Sequence, residues 1–287
     1  MTNWLTPETF DFQGHTIRWG SLGEGAPVVL MHGTPFWSCE WARLAPLLAT
    51  ERKVYFFDML GYGNSDRPAG DVSLGVQNRL FAALADHWNL TLPDIVAHDF
   101  GGATALRAHL IDGIDYNSLT LIDPVAVRPW GSPLVQHVKH HEAAFAGMPG
   151  YMHEAILPAY LQSAMKRKAT RETLAPYADQ WLGEEKQAAF YRQIAQMDQR
   201  YTDEVQDLYA RIRCPVRILW GEDDEWIPIE RGRELHAMIP GSEFIPVSGA
   251  GHLMQEDAPE AIAFHVQAFL KATGRKGRQE RDVSPCP

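Results

Sequence analysis

The chain has 287 residues, 45% of them hydrophobic, with 9 Trp, 9 Tyr and 12 Phe, enough to bury one large core or a core carrying a sizeable insertion. A formal net charge of −10 argues against a nucleic-acid partner, because phosphate contacts need clustered Lys and Arg. Cys39, Cys214 and Cys286 are too far apart for a disulfide framework or a CxxC metal site. The first residues lack a basic and apolar leader and no apolar run approaches the ~18 residues that span a bilayer. A cytoplasmic protein without a membrane partner is therefore expected.

In chain order, residues 8–20 and 27–31 read as strands, and "PVVLMHG" ends in a turn at His32. Residues 40–49 read as a helix, "KVYFFDMLGYGNSD" as a strand entering a Gly-rich loop, and 75–89 as a helix with one apolar face. "DIVAHDFGGATALRAHL", residues 94–110, reads as strand, tight turn and helix. "NSLTLIDPV", "PVRILWGEDD" and "EFIPVSGAGH" read as further strands, and 259–271 as a closing helix. Strands alternating with helices predict an α/β fold with a mostly parallel sheet covered on both faces. Ligands bind beyond the carboxyl ends of such strands. His32, Asp58, Asp99, Asp123, Asp224 and His252 all follow apolar strand-like runs, so the topology gathers them along one edge.

The alternation stops between Asp123 and about Arg213. Segments such as "HVKHHEAAFAGM" and "KQAAFYRQIAQMD" predict a helical cap inserted into the core. The expected organisation is core 1–124, cap 125–213, core 214–272, and a disordered polar tail 273–287. The pair His140 and His141 has no carboxylate or Cys spaced to complete a metal site. It reads as a solvated helix face, and no metal or cofactor is expected.

The turn at Asp99 carries the most chemistry. A nucleophile on a strained strand-to-helix turn needs small residues two positions before and after it; Ala97 and Gly101 stand there. The following helix N-terminus favours a negative charge. The competing reading is an Asp that simply caps that helix. "HGTP", residues 32–35, exposes backbone amides, so the N–H groups of Thr34 and Phe100 are candidate oxyanion donors. His252, after the last strand, is the candidate general base, and Asp224 in "GEDDEWIP" the acid that orients it. Asp123 is the alternative acid.

The order nucleophile, acid, histidine resembles the α/β-hydrolase pattern from about residue 10 to 271. An aspartate in the elbow resembles the branch holding epoxide hydrolases, haloalkane dehalogenases and fluoroacetate dehalogenases. "HGTP" and "HDFGG" look most like epoxide hydrolases, and "FYRQI", residues 190–194, resembles the cap segment carrying one ring-opening tyrosine. The resemblance implies a hydrolase that forms an alkyl ester on Asp99 and releases a vicinal diol. Tyr191 and Tyr151 would be the hydroxyl donors, with Tyr160 a weaker choice for the second. His32, Trp37 and His98 are expected beside a small apolar substrate. Phe100 and Thr34 stand where halide-releasing relatives carry Trp and Asn, and Phe100 also replaces the Arg of the haloacid enzymes. Dehalogenation of haloalkanes or haloacids is the alternative, and a non-catalytic receptor or scaffold a lesser one. A homodimer is left open.

Overall fold

The computed structural model describes residues 4–282. Its eight strands are β1 (Glu8–Phe12), β2 (His15–Leu22), β3 (Ala26–Met31), β4 (Arg52–Phe57), β5 (Asp94–His98), β6 (Ser118–Ile122), β7 (Val216–Gly221) and β8 (Glu243–Val247). They form one sheet in the order β1-β2-β4-β3-β5-β6-β7-β8. Contacts from β1 to β2 and from β2 to β4 are antiparallel, and the rest are parallel. The single strand expected over 8–20 is instead a hairpin, because Gln13 and Gly14 both take positive φ and turn the chain back. β5 and β6 are buried at every position, as their unbroken apolar runs require of a sheet covered on both faces.

The helices are α1 (Ala45–Leu48), α2 (Leu74–His87), α3 (Phe100–Leu110), α4 (Pro133–Ala146), α5 (Gly150–Gln162), α6 (Arg171–Ala178), α7 (Glu184–Ala195), α8 (Arg200–Gln206), α9 (Ile229–Met238), α10 (Met254–Asp257) and α11 (Pro259–Asp282). The helix expected over 40–49 is shorter and broken, with a 3₁₀ turn at Ser38–Trp41 before α1. α11 runs past the boundary expected at 272 and stays helical to Asp282; residues 283–287 of the expected tail lie outside the described residues. No helix among the described residues is long and apolar enough to cross a membrane.

Helices α4 to α8 lie between β6 and β7 and sit over the carboxyl ends of the strands. The Trp181 indole and the Gln180 amide both donate to Pro35 O, at 2.8 and 3.0 Å. Gln180 Oε1 accepts from Gly63 N at 2.9 Å, and Gln196 bridges Val72 N and Gly70 O. These bonds fasten the helical insert to the loops after β3 and β4, and so close over the edge where the candidate residues gather.

Candidate active site

Asp99 lies between β5 and α3 with φ 49° and ψ −114°. Such a backbone costs a non-glycine residue ~1–3 kcal/mol and persists only where its surroundings enforce it. The enforcement is close packing: a Cβ at Gly101 would lie 2.3 Å from Met31 O, and one at Gly33 would lie 2.8 Å from Asp99 Cβ. The capping alternative fails, because the Asp99 side chain makes no bond to the first turn of α3. Instead Asp99 Oδ1 accepts from Thr34 N at 2.7 Å. Of the two expected backbone donors only Thr34 bonds the carboxylate; Phe100 N makes no hydrogen bond to it among the described residues.

His252 lies across the other carboxylate oxygen, with Nε2 3.3 Å from Asp99 Oδ2 but not aligned for a hydrogen bond. Its Nδ1 donates to Asp224 Oδ2 at 2.8 Å. Asp224 is itself held, since Oδ1 accepts from Trp226 N and Ile227 N at 2.8 and 2.9 Å. Burial lowers the pKa of His252, but Asp224 and Asp99 outweigh it and leave the imidazole well above its ordinary value. Burial likewise pushes Asp99 up, and His252, His98 and the Thr34 amide reverse this and hold it below the usual carboxylate range. Two carboxylates therefore flank an imidazole whose protonated form both favour.

Asp123, the alternative acid, does not bond to His252. Its Oδ1 accepts from Gly221 N at 2.8 Å and its Oδ2 has no partner. Burial first, and then Asp224, push its pKa well above the carboxylate range.

Three side chains expected at the substrate serve the framework instead. His32 is fully buried: Nε2 accepts from Met59 N at 2.9 Å and Nδ1 lies 2.9 Å from Gly33 O. Burial lowers its pKa to about 4, so it is neutral and ties β3 to the loop after β4. His98 points behind the elbow, toward Glu40 and His252 O. Trp37 donates to Pro176 O at 2.9 Å and lines a surface cleft away from Asp99. Asp58 is similar, its carboxylate accepting from Ser38 N and Asn64 N to shape the loop after β4.

The expected tyrosines are also placed differently. Tyr151 is 74% exposed on α5. Tyr191 is 1% exposed, but its hydroxyl pairs with His153 Nδ1 at 3.0 Å and it does not line the cavity at Asp99. Tyr160, the weaker expectation, does line that cavity. Its ring stacks on Trp226 at 4.8 Å, and Trp226 stacks on His252 at 5.0 Å. Burial, helped by the Asp99 charge, pushes the Tyr160 hydroxyl above its ordinary pKa and keeps it a donor. Thr34, Phe100, Trp130 and Met197 complete much of the cavity wall, and its volume is about 40 Å³.

Tyr62 and Gln193 were not anticipated. Gln193 Oε1 accepts from the Thr34 hydroxyl at 2.7 Å and the Tyr62 hydroxyl at 2.9 Å, which leaves its buried Nε2 without a partner. The Thr34 and Tyr62 hydroxyls lie 3.1 Å apart, so turning the amide over would still leave one of their two protons without an acceptor in this cluster, and the free group is an N–H donor. A buried donor left unmade costs ~1–3 kcal/mol, and this one lies beside the residue whose amide holds Asp99.

A model of the alpha/beta hydrolase family matches residues 28–263, and the chain belongs to that family. It is similar to an alpha/beta hydrolase fold protein from Burkholderia ambifaria, whose crystal structure shares 54% identity at a TM-score of 0.89, covering 91% of this chain and 97% of that one. It is 27% identical over 271 residues to a 2-hydroxy-6-oxo-2,4-heptadienoate hydrolase from Pseudomonas putida, covering 88% of this chain and 91% of the relative. It is 25% identical over 276 residues to haloalkane dehalogenase 2 from Mycobacterium tuberculosis, again covering 88% and 91%.

Proposed function

We propose that this hydrolase attacks an sp³ carbon with Asp99, forms an alkyl ester on that side chain, and hydrolyses it; the substrate the site suits best is a small epoxide. The observation that carries the reading is an aspartate in the elbow, with Thr34 N on one oxygen and His252 facing the other. A carboxylate displaces a leaving group at an alkyl carbon, whereas a serine would attack a carbonyl.

In the first step Asp99 Oδ2 attacks an epoxide carbon and the ring C–O bond breaks. The departing oxygen takes a proton from Tyr160. Esterification removes one of the two carboxylates that hold the proton on His252. Burial then counts for more, and the imidazole releases its proton, which restores the Tyr160 hydroxyl. Neutral His252 takes a proton from water as that water attacks the ester carbonyl. Thr34 N is already on the oxygen that becomes the oxyanion. Collapse gives the diol and returns Asp99 as carboxylate and His252 as imidazolium. Asp123 and Asp224 divide the remaining roles, the first structural, the second orienting His252. A cavity of about 40 Å³, far below the ~300–1,000 Å³ of drug-sized sites, suits a substrate of few carbons, with the helical insert acting as a cap.

The second reading is halide release, favoured by the similarity to a haloalkane dehalogenase. Against it, the indoles of Trp37, Trp130, Trp181 and Trp226 all donate to protein oxygens, which leaves none of these N–H groups free for a halide. A His252→Gln variant separates the readings. Exposed to small epoxides and to small bromoalkanes, it should retain an ester on the peptide containing Asp99, with the full mass of the epoxide added. Adducts from bromoalkanes alone would select halide release, and no adduct from either, in folded protein, would overturn the aspartate-ester mechanism.

A further inference from the structure

Behind the elbow lies a second pair of ionisable side chains that the reaction above does not use. Glu40 follows the β3 turn in the 3₁₀ segment, and His98 is the last residue of β5, next to Asp99. Both side chains are fully buried. Glu40 Oε1 lies 3.2 Å from His98 Nδ1 and accepts from Gly33 N at 3.3 Å. His98 Nε2 lies 3.1 Å from the backbone oxygen of His252. One pair thus touches the oxyanion loop through Gly33, the nucleophile elbow through His98, and the base loop through His252.

Donor counting narrows where the protons go. A carbonyl oxygen only accepts, so His98 Nε2 carries hydrogen. Glu40 Oε1 already accepts from Gly33 N, and a proton on Oε2 would face no partner, since that atom is buried and unbonded. Gln255 Nε2 approaches the same Oε1 at 3.5 Å. A hydroxyl there would have to donate to Nδ1 and still accept from two N–H groups. Three groups converging on one oxygen favour a carboxylate, which only accepts, with His98 Nδ1 donating as well. We infer that Glu40 and His98 form a buried carboxylate–imidazolium pair, and that both are positioning residues which lock the three catalytic loops in register and set a positive charge beside Asp99. Burial is costly for either charge: it pushes the Glu40 carboxyl above its ordinary value, and the charge and hydrogen bond of His98 work against that; removing one partner strands the other. The ionisable groups that face His98 are Glu40, Asp99, His252 and His32. His32 is neutral, protonated His252 opposes a charge on His98 with its ring 5.0 Å away, and Glu40 and Asp99 offer the two nearby negative charges. Phe36 stacks on the remaining face of the ring at 5.9 Å.

The test is the ¹⁵N spectrum of the histidine rings in the full-length protein at neutral pH, with His98 assigned by its loss in His98→Gln. Both ring nitrogens of His98 should be protonated, and Glu40→Gln should return the ring to a neutral tautomer while Glu40→Asp keeps part of the charged form. One unprotonated ring nitrogen in the unsubstituted protein overturns the pair, and that result stands even if Glu40→Gln does not fold. For positioning, Glu40→Gln in the His252→Gln background should slow ester formation on Asp99 by on the order of 10- to 100-fold, as small misplacements of reacting groups do, and Glu40→Asp should recover part of that rate. Unchanged trapping would refute the positioning role. If no epoxide or bromoalkane labels the His252→Gln parent, the proposed function has failed, and the ring spectrum still decides on the pair.

Discussion

Asp224→Asn should leave the first half of the reaction working and stop the second. In the protein Asp224 Oδ1 accepts two backbone amides, from Trp226 and Ile227, while Oδ2 accepts from His252 Nδ1. An asparagine has one oxygen for these three donors. Keeping it on the two amides preserves two hydrogen bonds and sacrifices one, so the amide nitrogen turns toward His252. That nitrogen can only donate, which forces the ring into the tautomer with hydrogen on Nε2. A ring with Nε2 protonated and neutral cannot take a proton from water. The equivalent error in a serine triad costs ~10⁴ in turnover, or about 5 kcal/mol of barrier. Rapid-quench mass spectrometry of the Asp99 peptide should therefore show an ester that forms within one turnover and persists. Asp123→Asn should not produce that accumulation, because Asp123 bonds Gly221 N rather than the ring. Ester that builds up in Asp123→Asn but not in Asp224→Asn would refute the assignment of the orienting acid.

Four other outcomes follow from the geometry. Tyr160→Phe should slow ester formation from epoxides by ~10²-fold, the lower range for losing a general acid, with bromoalkanes much less affected; stopped-flow quenching of Trp226, its stacking partner, reports both. Tyr151→Phe should leave epoxide turnover unchanged. Asp99→Asn removes one of the charges that raise His252, so the ring should titrate lower by NMR. Because the folded His252 value lies above the unfolded one, its contribution to stability is full below the unfolded value of about 6.5 and is lost as pH rises through the folded value. Denaturant titrations should show that loss shifted to lower pH in Asp99→Asn. Gly101→Ala sets a Cβ 2.3 Å from the backbone oxygen of Met31, where nothing flexible can yield. It should lower stability by about 3 kcal/mol or more, and a thermal melt equal to the parent would contradict the close approach.

Local spacing made much of this site legible. Gly101, two residues after Asp99, marks a place where backbones touch, and the structure sets Met31 O against it. Strand ends placed Asp99, Asp224 and His252 at one edge because a parallel sheet leaves them no other. The side chains that sequence placed wrongly, or did not single out, depend on contacts far apart in the chain. Gln193 meets Thr34 across 159 residues and Tyr62 across 131, and Glu40 meets His98 across 58. No periodicity encodes such pairings. The insert tyrosines show the same limit: Tyr191 and Tyr160 both sit on helices, and which one faces Asp99 is decided by how α5 and α7 pack. His98 and His32 sit at the right strand ends to touch a substrate, yet their rings turn into the framework because unpaired polar atoms there need partners more than the cavity does.

The central claim is that water attacks the ester carbonyl of Asp99 and never the substrate carbon. A single turnover with enzyme in excess, run in H₂¹⁸O with an epoxide that labels the His252→Gln variant, tests it directly. The first product should carry no ¹⁸O, and one ¹⁸O should appear in the peptide containing Asp99. Label in the first product, with none in that peptide, would mean direct attack by water and would contradict the account.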